Sequence, residues 1–307
     1  MTNSSHQSPD TVALHSVGHH GSKYAHATPI YATSTYSFDS PEHGLALFSL
    51  QETGHIYSRL GNPSVEAAEE HLASIDKAEG GCLMFASGMG ALVSSNCLYG
   101  CTYKLFSQLK DRYNIDVTFV DSSNIEEVRN AMKPTTKMVY IESPANPTLS
   151  VTDIKTAGEI AHSVEGCLLV VDNTFMSPIL QRPLELGADI TLYSCTKNLN
   201  GHGTSVNGAL CFKNKDHWME MWGYRVITGG NMSPFDAFLV SNGMKTLPMR
   251  IRCMSETSKL VAEFLHNHPD IETVYHPSLP SHSGHAVHKK QATGYPSCLA
   301  FGNQAWF

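Results

Sequence analysis

Residues 168–203, LLVVDNTFMSPILQRPLELGADITLYSCTKNLNGHG, contain two short apolar runs that predict two strands of a parallel sheet. The first run, 168–171, ends at Asp172, and the second run, 190–193, leads directly to Lys197. Wholly apolar runs of this length, rich in β-branched residues, are typical of strands that are buried on both faces. Because ligands bind beyond the carboxyl ends of such strands, the stretch predicts a crevice that contains an aspartate and a lysine.

An aspartate and a lysine in one crevice suit the cofactor pyridoxal 5'-phosphate (PLP). A lysine can form a Schiff base with an aldehyde, and an acidic partner keeps the pyridine nitrogen protonated so that the ring accepts electrons. Ser194 and Thr196 would add hydroxyl groups for the cofactor phosphate. Either residue alone is better explained as a turn cap at Asp172 or a solvated lysine at Lys197. The pair, followed by the glycine-rich loop 200–203, favours the cofactor.

Six motifs, in a fixed order, resemble those of the PLP-dependent Cys/Met-metabolism family, the trans-sulfuration enzymes. The resemblance runs from about Ala27 to the C-terminus, and within the family the motifs look most like those of methionine γ-lyases. It implies an α/β fold of the type I aminotransferase kind, with a mostly parallel sheet covered by helices and an incomplete C-terminal α+β domain. The motifs are YSRLGNPS at 57–64, SGMGA at 87–91, LYGCT at 98–102, ESPANPT at 142–148, VDNTF at 171–175 and SCTK at 194–197.

The composition is that of a globular protein, with 41% hydrophobic and 16% charged residues in a chain of 307. A chain of this length has room for two lobes. We expect an N-terminal arm and extended segment at 1–61, a PLP-binding large domain at 62–247 and a partial C-terminal domain at 248–307. Residues 1–26 are polar and lack periodicity, so we expect them to form a flexible arm.

Composition and charge also bear on partners and location. The formal net charge of −7 gives no reason to expect nucleic acid or an anionic membrane as a partner. No apolar run approaches the length of a membrane span and the N-terminus lacks a signal-peptide core, so we expect a cytoplasmic protein. The eight cysteines are therefore expected to be reduced thiols. The seventeen histidines show no metal-ligand spacing, and no metal site is predicted.

The resemblance assigns roles to the residues that match the family motifs. It implies that Lys197 binds PLP as a Schiff base, that Asp172 contacts the pyridine nitrogen, and that Glu142 and Asn146 lie near the cofactor. A glycine-rich helix start offers backbone N–H groups to an anion, as SGMGA does in the family. Four residues are expected at the cofactor phosphate: Gly88, Met89, Ser194 and Thr196.

Four more residues follow from the same resemblance. Tyr57 and Arg59 match residues that reach the PLP phosphate of a neighbouring subunit, which implies a homo-oligomer, a dimer of dimers. An arginine fork suits a phosphate, although from local sequence alone Arg59 is an ordinary surface residue beside a capped turn. Tyr99 holds the family position for stacking on the PLP ring, and its phenol can act as an acid or base. Cys101 occupies the position where methionine γ-lyases carry cysteine, and a buried cysteine without a role is the alternative.

The chain departs from the family pattern in four respects. The motifs at 87–91 and 98–102 follow each other almost directly, whereas the family has the rest of a helix, a turn and a strand between them. Either a short link replaces that strand or the deletion impairs folding. Asn198 stands where the family usually has an aromatic or large residue, and 225–229 lacks the acidic residue typical of methionine γ-lyases. The family's arginine for the substrate carboxylate has no match before residue 307.

The expected reaction is the α,γ-elimination of L-methionine or a related sulfur amino acid, which yields a thiol, 2-oxobutanoate and ammonia. Two alternatives stay open. A cystathionine γ-lyase or an O-acetylhomoserine sulfhydrylase would share every cofactor residue. A truncated, catalytically impaired paralogue would retain only PLP or partner binding.

Local patterns predict further elements along the chain. Ser64, ahead of the acidic residues of EAAEE, is predicted to cap a helix. The run at 115–121 is predicted to be a strand, and 28–38 is predicted to run extended along a surface because Pro29 interrupts it. Alternation of helices and strands after residue 80 predicts a parallel sheet that is covered on both faces.

Overall fold

The computed structural model describes residues 7–16, 25–93, 104, 107–108 and 114–302. A five-stranded sheet forms its centre and carries helices on both faces. The five strands are β1 (Gly81–Phe85), β2 (Met138–Glu142), β3 (Leu168–Asp172), β4 (Ile190–Tyr193) and β5 (Gly208–Phe212). The α/β class inferred from the alternation of helices and strands is therefore confirmed.

The strands lie in the order β1-β5-β4-β3-β2. β2, β3 and β4 pair in parallel, and β5 pairs antiparallel with both β4 and β1. Four of the five strands therefore point the same way, which confirms a mostly parallel sheet. The parallel register places Glu142 opposite Asp172, so two carboxylates leave the sheet at neighbouring strand ends.

Eleven α-helices are assigned within the described residues. They are α1 (Pro9–His15), α2 (Pro41–Phe48), α3 (Pro63–Asp76), α4 (Gly88–Val93), α5 (Ile125–Ala131), α6 (Ile154–Ala161), α7 (Ser177–Leu180), α8 (Lys215–Thr228), α9 (Pro234–Lys245), α10 (Leu247–His266) and α11 (His285–Gln291). None of them combines the length and the apolar composition that a bilayer crossing requires.

Two layers of apolar side chains fix the sheet between its helices. On one face, α3, α6 and α9 contribute fully buried residues such as Leu72, Ile154 and Met244. On the other face, Met221 and Trp218 of α8 pack with strand residues that include Phe85 and Leu192. Burial of each large side chain contributes about 1.5–3 kcal/mol. The sheet is thus rigid where its strands end, and those ends carry the predicted site.

The start of α3 differs from the prediction in its capping residue. Asn62, not Ser64, is the N-cap, and its Oδ1 accepts the N–H of Ser64 at 3.0 Å. Pro63 occupies the first helical position, where its fixed φ and missing N–H cost nothing. The Ser64 hydroxyl donates to the carbonyl of Pro29 and accepts the N–H of Tyr31. It anchors the segment 28–38, which is free of helix as predicted.

The expectation of a flexible arm at 1–26 is wrong for residues 9–15, which form α1. Ser8 caps this helix, and Ala13 is completely buried in the same apolar cluster as Leu72 of α3. Asp10 forms a two-pronged ion pair with Arg252 of α10, with N–O distances of 2.7 and 2.9 Å. Although the segment is polar in composition, α1 has one apolar face and one ion pair. The long-range contacts that these two features make stabilise the helix.

The predicted strand at 115–121 is also wrong. The described residues of this run, from Ile115 onward, have no regular secondary structure and are mostly exposed. A strand is stable only when a neighbour accepts its ladder of hydrogen bonds. Within the described part of the chain β2 is the edge of the sheet, and no hydrogen-bonded ladder joins 115–121 to it.

The C-terminal segment begins with α10 and adds a small antiparallel pair of strands, β6 (Thr273–Tyr275) and β7 (Ala300–Gly302). A separate apolar cluster lies beneath them and includes Ala262, Val274 and Leu279. Its separation from the sheet core agrees with a domain boundary near residue 247, which remains a prediction.

Candidate active site

The turn after β3 connects the two strand ends that the sequence singled out. Asp172 Oδ1 accepts the backbone N–H of Thr174 at 3.0 Å. The hydroxyl oxygen of Thr174 accepts the N–H of Ser194, which follows β4, at 2.8 Å. Thr174 was not among the predicted site residues, although an Asp two positions before a Thr is a recognisable side-chain turn. It fixes the predicted aspartate to the segment that carries the predicted lysine.

Glu142 and Asp172 form a pair of neighbouring acids at the carboxyl ends of β2 and β3. Burial, and then the charge of Asp172, raises the pKa of Glu142 to about 8. Burial also raises the pKa of Asp172, against hydrogen bonds from Thr174 and Tyr140. The Asn146 N–H donates to Glu142 Oε1 at 3.2 Å, so the structure brings three predicted cofactor residues together.

No cation balances this acid pair in the part of the chain that the structure describes. No lysine, arginine or histidine among the described residues forms an ion pair with Glu142 or Asp172. Both side chains are only partly buried, so a ligand can reach them. Cys298, from the C-terminal segment, lies close enough for the charge of Glu142 to add to burial in raising the thiol pKa to about 11. A positively charged group would relieve the repulsion between the two acids.

A tight packing of backbone places Gly88 beside Ser194. A Cβ atom at Gly88 would lie 3.2 Å from Cβ of Ser194 and 3.3 Å from its hydroxyl oxygen. Gly208 of β5 packs against the same turn, where a Cβ would lie 2.3 Å from the carbonyl oxygen of Ser87. At Gly208 only glycine permits this approach, and at Gly88 a side chain would require Ser194 to shift by a few tenths of an ångström. Met89, the second residue of α4, packs against the apolar layer on the α8 face.

The two hydroxyl groups predicted for the phosphate differ in availability. Thr196 donates its hydroxyl to the Asn207 carbonyl at 3.2 Å and accepts the Asn207 N–H at 3.0 Å. Ser194 Oγ has no hydrogen-bond partner within the described residues and faces Gly88. Ser194 is therefore the better placed of the two to bind a phosphate oxygen.

Lys197 lies at the first turn after β4, with its side chain exposed. Its N–H donates to the Ser194 carbonyl at 3.1 Å, and its carbonyl accepts the N–H of Gly201 at 2.8 Å. The backbone on both sides of the lysine is thus fixed while Nζ stays accessible.

Tyr57 and Arg59 lie together. The Arg59 guanidinium lies 5.5 Å from the centre of the Tyr57 ring and donates to the carbonyl of Val226 in α8. Neither side chain hydrogen-bonds to the Asp172–Lys197 region in the described structure. Tyr99 and Cys101 lie outside the described residues.

The residues present fit PLP. The unpaired acids match a protonated pyridine nitrogen, because that nitrogen supplies the positive charge that they lack. The free hydroxyl of Ser194 beside the Gly88 backbone suits a phosphate, and Lys197 is accessible for covalent attachment. The described residues contain no group of three or more His, Cys, Asp or Glu that could bind a metal ion.

The chain is similar to several curated proteins. It is 44% identical to an L-methionine gamma-lyase of Porphyromonas gingivalis over 291 residues, which cover 90% of this chain and 72% of that protein. Identity to an L-methionine gamma-lyase of Fusobacterium nucleatum subsp. polymorphum is 42% over 291 residues, covering 90% and 73% of the two chains. A cystathionine gamma-lyase of Bacillus subtilis is 38% identical over 288 residues, covering 90% and 73%.

Solved structures share the fold as well. The crystal structure of metB from Corynebacterium glutamicum matches with a TM-score of 0.92 and 32% identity, covering 99% of this chain and 80% of that chain. A cystathionine gamma synthase from Xanthomonas oryzae pv. oryzae, in complex with aminoacrylate and cysteine, matches with a TM-score of 0.89 and 32% identity, covering 97% and 78%. The model of the Cys/Met metabolism PLP-dependent enzymes matches residues 10–305. The chain therefore belongs to the Cys/Met metabolism family of PLP-dependent enzymes.

Proposed function

We propose that this protein catalyses the α,γ-elimination of L-methionine or a related sulfur amino acid, releasing a thiol, 2-oxobutanoate and ammonia. The observation that carries the proposal is the order of three chemical groups along adjacent strands: Glu142 and Asp172 end β2 and β3, which are paired in register, and Lys197 follows β4, the next strand of the sheet. The identity of 40–44% to L-methionine gamma-lyases of three genera supports the choice of reaction.

Each residue of the group has a task in this reaction. PLP, when bound, supplies an electron sink for the carbanion that forms at the substrate Cα. Asp172 would hold a proton at the pyridine nitrogen, and Ser194 with the backbone of Gly88 would bind the phosphate. Lys197 would bind the cofactor and, once the substrate amine has displaced it, accept the Cα proton at Nζ and relay it.

Three further residues stand at positions with family roles. Tyr99 would stack on the cofactor ring and protonate the leaving thiol, with Cys101 close by at the substrate. Asn146, whose backbone contacts Glu142, would lie near the phenolic oxygen of the cofactor.

A second copy of the chain would complete the phosphate site. Tyr57 is 39% exposed, and Arg59 stacks on it at the surface without a carboxylate partner among the described residues. An exposed arginine over an aromatic ring is suited to a phosphate from another chain. We propose a homo-oligomer, a dimer of dimers, in which Tyr57 and Arg59 reach the neighbouring cofactor.

Methionine is the first candidate substrate. The 38% identity to a cystathionine gamma-lyase of Bacillus subtilis makes cystathionine the second candidate. Turnover of methionine, of cystathionine and of O-acetylhomoserine with sulfide should be compared on the purified protein with PLP. We expect methionine to release the 2-oxo acid fastest and Lys197→Ala to abolish the release. A preference for cystathionine by tenfold or more in kcat/KM would replace the first candidate with the second.

A further inference from the structure

The first turns of α10 reach the loop that carries Lys197. The Arg250 guanidinium donates from Nη1 to the backbone carbonyl of Asn198 at 3.0 Å and from Nη2 to that of Leu199 at 3.5 Å. These two residues follow Lys197 directly. Helix α10 therefore fixes the backbone of residues 195–201, which we call the lysine loop.

The remaining hydrogen bonds of Arg250 fix its side chain to the residues just before α10. Nη2 also donates to the carbonyl of Gly243 at 2.7 Å, and Nε donates to the hydroxyl of Thr246 at 3.0 Å. In the part of the chain that the structure describes, no carboxylate pairs with Arg250. Its donors all serve neutral oxygens in a fixed fork, an arrangement that a lysine cannot reproduce.

Two glycines make this close approach possible. Gly201 has a φ of +70°, and a Cβ there would lie 2.1 Å from Nη1 of Arg250. A Cβ at Gly243 would lie 2.2 Å from the carbonyl oxygen of Asn200. The Gly201 N–H also donates to the Lys197 carbonyl, so the residue against the guanidinium is bonded to the lysine itself.

Asn198 extends the contact to the turn after Asp172. The residue is 9% exposed, and its Nδ2 donates to the carbonyls of Phe175 at 3.2 Å and Thr174 at 3.4 Å. Thr174 bonds the carboxylate of Asp172 through its own N–H. Asn198 therefore connects the two segments: its side-chain amide bonds the turn after Asp172, and its backbone carbonyl accepts a hydrogen bond from Arg250.

We propose that Arg250 is a positioning residue for Lys197, acting with Asn198 to fix the lysine backbone relative to Asp172. The inference rests on the proposed function, in which Lys197 and Asp172 bind the same cofactor. A misplacement of about 1 Å at a reacting group can cost on the order of 100-fold in rate. Loss of Arg250 should therefore lower kcat far more than it raises KM.

The test compares Arg250→Ala and Arg250→Lys with Arg252→Ala as the matched control. Arg252 lies two residues away on the same helix, and its guanidinium pairs with the exposed Asp10 instead of the lysine loop. Hydrogen exchange at the amides of Asn200 and Gly201 is measured on the PLP-free full chain. Both amides donate within the loop, to the carbonyls of Cys195 and Lys197.

We expect Arg250→Ala to speed exchange at these amides by about tenfold or more, because their opening becomes easier. In the PLP-loaded protein its kcat should fall on the order of 100-fold, with KM changed less than about threefold. Guanidinium chloride, far below denaturing concentrations and against a sodium chloride control, should restore part of kcat. Arg250→Lys should stay impaired, and Arg252→Ala should match the wild type.

Other outcomes overturn the inference. Wild-type exchange in Arg250→Ala would show that the guanidinium does not hold the loop. Equal losses in Arg250→Ala and Arg252→Ala without guanidinium rescue would assign Arg250 to general helix stability. If Arg250→Ala does not fold, Asn198→Ala carries the test, since it leaves the helix contacts of Arg250 intact, and unchanged exchange would again contradict the inference. A wild type without a Lys197-dependent visible band would overturn the proposed function, while the exchange comparison still judges the loop contact.

Discussion

Two glutamates, one buried and one partly buried, contrast in how their charge is balanced. Glu69 is 6% exposed and pairs with Arg225, itself 3% exposed, while the N–H of Met84 donates to the same carboxylate at 2.8 Å. Glu142 has Asp172 as its neighbour and no cation among the described residues. Burial raises the pKa of both glutamates. The charge of Arg225 opposes this shift in Glu69, and the charge of Asp172 reinforces it in Glu142.

The contrast separates a structural site from a binding site. The Glu69–Arg225 pair is closed, because each charge meets its complement inside the protein. The Glu142–Asp172 pair is open: both acids are only partly buried, and no cation among the described residues balances their charge when both are ionised, so a ligand with a positive group would stabilise them. A protonated pyridine nitrogen is such a group, and four single substitutions test this contrast.

The largest expected effect is the loss of the closed pair. Arg225→Ala leaves Glu69 as an unpaired buried charge and should lower the free energy of unfolding by about 3–5 kcal/mol. Chemical denaturation of the purified protein measures this change. In the double variant Arg225→Met, Glu69→Leu no charge is left unpaired, and it should recover most of the loss. A single variant as stable as the wild type would show that the pair is not closed.

The opposite behaviour is expected of the open pair. Asp172→Asn removes repulsion with Glu142, so the PLP-free protein should be as stable as the wild type or more stable by about 1 kcal/mol. Turnover with PLP should nevertheless fall on the order of 100-fold, because the electrostatic partner of the pyridine nitrogen is lost. Denaturation and steady-state kinetics on the same preparation check both halves. A destabilised but fully active Asp172→Asn variant would show that Asp172 is a structural residue and not part of the binding site.

The pH dependence of stability tests Glu142 directly. Between about pH 4.5, where the unfolded carboxyl titrates, and about pH 8, the folded chain holds a proton that the unfolded chain has released. The contribution of the Glu142 carboxyl to the free energy of unfolding is therefore fully present at low pH. It decreases as the pH rises, by at most about 1.4 kcal/mol per pH unit. The difference in unfolding free energy between the wild type and Glu142→Gln should show this slope. A flat difference across the range would mean that Glu142 titrates normally.

An exposed ion pair gives the smallest expected effect and completes the series. Lys77 and Glu185 lie 2.6 Å apart, with side chains 57% and 47% exposed. Glu185→Gln should change the free energy of unfolding by less than about 0.5 kcal/mol, because solvent screens both charges. A loss above 1 kcal/mol in the same denaturation assay would show that the burial of an ion pair does not determine how much it contributes to the free energy of unfolding.

The strands that form the site were predictable because their signal is local. β3 and β4 are mostly apolar runs, and a parallel sheet brings their carboxyl ends to one edge whatever the rest of the chain does. Asp172 and Lys197 follow from this rule. The identity of the cofactor followed from residue chemistry together with the family motifs.

Features that depend on distant partners escaped prediction. Arg225 and Glu69 are separated by 156 positions, so no local pattern marks them as a pair. The helix α1 is too short to be stable without its contacts to α3 and α10, and its sequence therefore reads as a flexible arm. The opposite error occurred at 115–121, where a strand-like pattern lacks a neighbouring strand. Asn198 appeared only as a departure from the family, and its bonds to Thr174 and Phe175 are visible only in three dimensions.

The visible absorption spectrum of the purified protein with added PLP, recorded beside that of Lys197→Ala, is the most direct test of the central claim. The open acid pair and Lys197 predict a band in the wild type that the variant lacks. A wild type that is folded and soluble but shows no such band would contradict the claim and leave the protein with the fold but without its cofactor chemistry.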